Sequence, residues 1–243
     1  MSALVRATPN AAELVAGIEE AELSRLLGMP RGRPLEHDLA ERVDGARGWY
    51  ARYGCPQLLA RRAEIDAITD CTVRLANGRT LAGAAIARRL AGGHAHAALA
   101  VAVTAGPEVD AETARLWASD RPDEAYFLDR LATAVVERLM LRATTWLCRE
   151  ASIAGETALA HLSPGCGAWE LEAQRGLFAW LAGDDPVAPL AMLDSGMLRP
   201  KLSLLAVIGL TRDRAAPDAT GSCRACDLAR CAFRRAPYLG VAA

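Results

Sequence analysis

The stretch "SCRACDLARC" sets thiols at Cys223, Cys226 and Cys231, a C-x2-C-x4-C arrangement. Two cysteines three residues apart bend a loop around one metal, and the third closes the same side. The spacing lies near iron–sulfur and zinc patterns without matching either standard set. Three unconnected thiols on a polar tail is the plain alternative, and a redox dithiol with a resolving partner is the intermediate one. Metal or cluster binding is the expectation, with an iron–sulfur cluster of the 4Fe-4S type first and zinc second. Three thiolates leave a fourth coordination position, for which Cys55, Cys71, Cys148, Cys166, His161 and an external ligand are the candidates. Cys71 falls in a strand pattern and Cys148 on the apolar side of a helix, so both read as buried and inert. Cys166 falls in "SPGCG", a glycine turn that lets backbone and thiol approach a bound group closely.

These residues need elements to hold them. Positions 10–28 follow a helical period with Asn10 as cap, and "MPRGRP" breaks it. A second helix is expected over about 36–53, ending at "GCP". "LLARRAEIDAI" and "CTVRLANGRTL" alternate as strands do, with Asn77-Gly78 as a tight turn. "GAAIARRLAGG" reads as a short helix and "AHAALAVAVTAG" as a buried strand. Helices over about 107–118 and 122–152 follow, the second with Phe127, Leu131, Val135, Leu139 and Leu147 on one side. "WELEAQRGLFAWLAG" is a further helix, "LSLLAVIGLTR" the last strand, and "AAPDATGS" a polar linker into the cysteine tail. Strands mixed with helices, without a strict βαβ repeat, predict α+β.

A chain of 243 residues buries a substantial core. Its net charge of −1 leaves no basic excess for nucleic acid or a lipid surface. Lys201 is the one lysine among 28 basic residues, so arginines reflect composition and none is singled out for being one. The opening residues acquire acidic side chains before any apolar run forms, and the most apolar stretch is too short to span a bilayer. A cytoplasmic location is the expectation. Seven cysteines there form a poor disulfide framework and point to metal or redox work.

Three stretches in order, residues 81–139, "HLSPGCGAWELEAQ" and "LDSGMLRPKLSLLAVIGL", resemble the activation domain of cobalamin-dependent methionine synthase, most of all its free-standing, cysteine-tailed relatives. The resemblance covers roughly residues 57–231. It implies a twisted antiparallel sheet with flanking helices, divided as an N-terminal helical element (1–56), a core (57–215) and a cysteine tail packed on it (216–243). It also implies S-adenosylmethionine as ligand and a corrinoid-binding protein or methyltransferase as partner. Flavodoxin or ferredoxin is the implied electron donor. His161 stands where the family has an arginine and Cys166 where it has a tyrosine. Asp194 and Ser195 match an acidic–serine segment, and Glu137 an acidic position on the long helix. Histidine lacks the permanent planar fork of arginine, so S-adenosylmethionine is expected to bind weakly or not at all. No Asp-x-His-x-x-Gly motif is present, so any corrinoid arrives on a partner.

The resemblance further implies that Cys166, in place of the tyrosine, completes a cluster with Cys223, Cys226 and Cys231 beside the family's ligand pocket. Reductive reactivation of a corrinoid protein is then the leading function. A metal-binding docking protein without catalysis, and a domain that donates a methyl group from S-adenosylmethionine, are the alternatives.

Overall fold

The computed structural model describes residues 3–30, 34–166 and 168–213; Cys223, Cys226 and Cys231 lie outside the described residues. Residues 10–28, which follow one helical period in the sequence, do not form one helix. Asn10 caps a first helix, α1 (Ala11–Ala16), its side chain accepting from the Glu13 N–H. Gly17 then closes that helix, and α2 (Glu20–Leu26) starts afresh. The Arg138 guanidinium approaches so closely that a side chain on Gly17 would meet it at 3.2 Å, a long-range constraint. The third helix, α3 (His37–Tyr53), matches its predicted span.

The principal sheet is built from β1 (Val5–Ala7), β2 (Gln57–Ile68), β3 (Thr72–Leu75), β4 (Thr80–Ala82), β5 (Ala97–Thr104), β6 (Thr157–Ala158) and β9 (Ser203–Thr211). Its order is β4-β3-β2-β5-β9-β6, with β1 added on β2, and every pairing is antiparallel. Gly78, at φ +82°, supplies the left-handed residue of the β3–β4 turn foreseen at Asn77-Gly78. A register shift in β2 between Ile65 and Ala67 turns that strand from β5 towards β3 and curls the sheet.

Alternation on the central strands divides the interior in two. Leu99, Val101 and Val103 of β5, with Ala206 and Ile208 of β9, face a layer formed by α1–α3, α5 (Pro107–Ala118) and the long α6 (Pro122–Ile153). Ala98, Ala100 and Ala102 of β5, with Leu205 and Val207, face α4 (Ala84–Gly92) and α7 (Gln174–Ala182). The large residues therefore meet the large helix, and the alanines admit Trp169 and Trp180, both fully buried, on the opposite side. A small hairpin, β7 (Ala191–Met192) and β8 (Leu198–Arg199), completes that second side. The chain is thus α+β, a curled antiparallel sheet with flanking helices, as expected. No described helix is long and apolar enough to cross a membrane.

One charged cluster ties the end of α6 to the sheet. Glu156 accepts from Arg62 at 2.9 and 3.0 Å and is bonded to His96 Nε2 at 2.8 Å. The Arg62 hydrogen bond, then that of His96, holds the Glu156 carboxyl below its ordinary value of 4.5, against the opposing effect of burial. A carboxylate lowered in the folded state stabilises the fold above its unfolded value and loses that contribution as pH falls through the folded one. Glu156→Gln is therefore expected to cost about 2 kcal/mol at neutral pH. It should also flatten the fall in stability below about pH 4.5. Urea midpoints measured across the acid range check this, and parallel curves for the two proteins would refute it.

Candidate functional site

After β6 the chain runs on beside β9. Leu159 N–H donates to Gly209 O at 2.9 Å, and Leu162 exchanges hydrogen bonds with Val207 at 2.9 and 2.8 Å. His161, half-buried, is carried between those two contacts. Pro164 and Gly165 then reverse the chain, with Gly165 at φ +82°. The turn closes on itself: Cys166 N–H donates to Ser163 O at 3.0 Å, and Gly165 N–H to Trp169 O at 2.8 Å. Cys166 is exposed on that turn. Sequence periodicity puts Trp169 at the start of a helix. Instead it is a buried plug whose indole N–H donates to Ala82 O at 2.8 Å, and the helix begins later, as a 3-10 turn at Leu171–Ala173 leading into α7.

The second predicted segment reaches the start of α7. Asp194 and Ser195 form the exposed tip of the β7–β8 hairpin. Gln174 Nε2 donates to Gly196 O at 2.7 Å, and the Arg175 guanidinium donates to Asp194 O. Both donors belong to the first turn of α7. The Asp194–Ser195 tip is therefore tied to the N-terminal end of α7, the helix that the Cys166 turn leads into through Trp169 and the 3-10 turn. Gln174 and Arg175, which make that tie, carry no signal in the sequence beyond their place in "WELEAQR".

Glu137 does not join them. It lies on α6, on the other face of the sheet, and is paired with Arg25 of α2 at 2.7 Å. Its place is a tie between two helices.

Among the described residues no three His, Cys, Asp or Glu side chains gather as a metal group. Cys71, expected to be buried, is exposed, because it sits in the bend before β3 rather than within the strand. Cys148 is half-buried and packs against the α6-side core. The Cys55 thiol is exposed, yet its pKa is pushed up, by partial burial first and then by the charge and hydrogen bond of Glu108. A thiol kept protonated in this way is a poor metal ligand.

Two clefts lie elsewhere. One of about 490 Å³ runs between α3, α5 and α6, past Asp38, Trp49 and Glu112. Another of about 510 Å³ runs past Arg61, Arg79, Trp180 and Asp184. Neither is lined by His161, Cys166, Asp194 or Ser195.

No family model matches the chain, and no curated protein matches it. Among solved structures, the crystal structure of the MetH reactivation domain bound to AdoHcy is similar, with a TM-score of 0.65 at 11% sequence identity. The likeness covers 90% of this chain and 81% of that one. At that identity it establishes the shared fold.

Proposed function

We propose that this chain reactivates a corrinoid protein or corrinoid methyltransferase by reduction, with the cysteine tail (216–243) carrying an iron–sulfur cluster on a core of residues 57–215. The observation that supports this most is the likeness to a reactivation domain across 90% of the chain. A cluster held by Cys223, Cys226 and Cys231 would supply single electrons at low potential. The partner's cob(II) centre would accept one electron and become cob(I), and a flavodoxin or ferredoxin would restore the electron. Within the chain, the Cys166 turn and the Asp194–Ser195 tip present a polar surface at the start of α7 for the partner or its ligand.

Anaerobic purification followed by iron, sulfide and zinc analysis, with an absorption spectrum, tests the reading. Iron and sulfide in cluster proportions, with reduction of a corrinoid partner, are the expected results. A colourless zinc protein would overturn the electron-transfer role and leave a docking protein.

A second reading has its own support, because the similar reactivation domain is bound to AdoHcy. We place an S-adenosylmethionine-type ligand at the same surface, against His161, Cys166, Asp194 and Ser195. Glu137 is left out of it by its position across the sheet. Replacing a charged fork with histidine costs about 1.5–3 kcal/mol, one to two decades in affinity. Calorimetry with S-adenosylmethionine is therefore expected to give weak or undetectable binding. Tight binding would show that other residues have taken over recognition.

A further inference from the structure

One wall of the cleft beside β2 is built around a buried charge. Arg61 reaches from β2 to the end of α7, where its Nε donates to Leu181 O at 2.7 Å and its Nη2 to Ala182 O at 2.9 Å. Asp185 accepts from the same Nη2 at 2.6 Å, and the Arg61 side chain is only 5% exposed. Gly183 closes the helix at φ +53°, and a Cβ there would meet the guanidinium at 3.2 Å. Carbonyls that a helix end leaves over are thereby satisfied, and the wall is fixed.

Two other donors of the cleft lining are left over. Trp180 lines the cleft and is fully buried, yet its indole N–H meets no acceptor among the described residues. Trp169, the other fully buried indole, donates to Ala82 O. An indole N–H taken out of water ordinarily finds an acceptor, and leaving it without one is costly. Arg79, at the end of the β3–β4 turn, lines the same cleft and is half-buried. Its backbone is engaged by Asn77 and Leu75, while its guanidinium makes no hydrogen bond or ion pair among the described residues. The other lining cations are committed, Arg61 to Asp185 and Arg62 to Glu64 and Glu156. Of the lining carboxylates, Glu64 is held by Arg62, and Asp184 is exposed, where solvent and salt screen it.

A cleft of about 510 Å³ lies within the range that encloses a small organic ligand. We propose that it binds a small organic anion whose carboxylate or phosphate oxygens accept from the Trp180 indole N–H and the Arg79 guanidinium. A planar fork and a single N–H are donors only, so an oxyanion satisfies both. A cation or a purely apolar guest would leave both unpaired. Ala63 and Ala76 line the cleft as well and suit the apolar body of such a ligand. The site is separate from the Cys166 turn and the Asp194–Ser195 tip, and it stands whether or not the cysteine tail holds a metal.

The probes are acetate and inorganic phosphate, each titrated into the isotope-labelled full chain at constant ionic strength, with sodium chloride as the control. The readout is the Trp180 indole resonance, one of five in the chain. It is identified by its loss in Trp180→Phe or, if that variant does not fold, by its connectivity to Leu181. Its proton is expected to move downfield and saturate, with a dissociation constant below about 10 mM for at least one of the two anions. Acetate acting alone identifies a carboxylate ligand, and phosphate acting alone a phosphate ester. Arg79→Gln should weaken binding about tenfold or more while the rest of the spectrum keeps its dispersion. Asp184→Asn should tighten binding a few-fold, because it removes a negative charge at the rim. An indole proton that neither anion moves, or that chloride moves equally, would overturn the proposal. So would an unchanged titration in Arg79→Gln.

Discussion

A chain with Cys223→Ser, Cys226→Ser and Cys231→Ser is expected to retain no tightly bound metal and to lose corrinoid reduction entirely. Thiolates at this spacing converge without help from the rest of the fold, so they supply most of the binding free energy. Structural sites of this kind are worth about 10 kcal/mol or more, and a serine hydroxyl is not ionised near neutral pH to replace them. Among the described residues, which end at Asp213, the two cores already cover both faces of the sheet. The melting of the core should therefore change far less than the metal content. Iron, sulfide and zinc analysis beside a thermal melt separates the two effects. Full metal content in the triple variant would defeat the reading of the tail. Collapse of the melt together with the metal would show that the tail is part of the core's stability.

Gly83→Ala is expected to lower stability by about 3–5 kcal/mol, the sum of backbone strain and a steric clash. Gly83 sits at φ +137°, a conformation that side chains rarely adopt. A Cβ there would stand 2.5 Å from Trp169 Cδ1 and 2.6 Å from Nε1. The indole cannot yield without breaking its hydrogen bond to Ala82 O at 2.8 Å and leaving the core around α4 and α7. For a domain of this size the melting temperature should fall by about 10 °C. Gly78→Ala is the comparison, since Gly78 is also at positive φ but has nothing within 4 Å of a built Cβ. It should lose only about 1 kcal/mol. Equal losses at the two positions would refute the steric part of the argument, and tryptophan emission should shift to the red in Gly83→Ala alone.

The elements legible in the sequence are those whose pattern is long or whose turn chemistry is specific. β5, β2 and α6 each sustain a period over eight residues or more, and Asn77-Gly78 fixes its hairpin locally. What escaped is set by distant contacts. β1, β6, β7 and β8 have two or three residues each, too few to show alternation. Gly17 ends α1 with Arg138, far along the chain, packed beside it. Trp169 fits an amphipathic helix equally well as a buried plug, and only Gly83 reveals which. At the site, the Pro-Gly-Cys turn was readable from its residue types, while the place of Asp194 and Ser195 depends on Gln174 and Arg175 reaching a hairpin that no periodicity announces. Glu137 matched by position and not by environment. Its partner, Arg25, belongs to a helix outside the segments that carry the resemblance.

The three residues of β1 also have a protective part. They occupy the backbone hydrogen-bonding side of Leu58–Ala60 in β2, and the Arg6 guanidinium fastens them to Pro186 O at 2.7 Å and to Ala188 O. A chain shortened to begin at Asn10 would keep every helix yet bare that row of donors and acceptors, flanked by Leu58 and Leu59. Open strand margins of this kind recruit other strands. Such a shortened protein would self-associate through β2, so material trimmed for crystallisation or reporter fusion should keep its first nine residues.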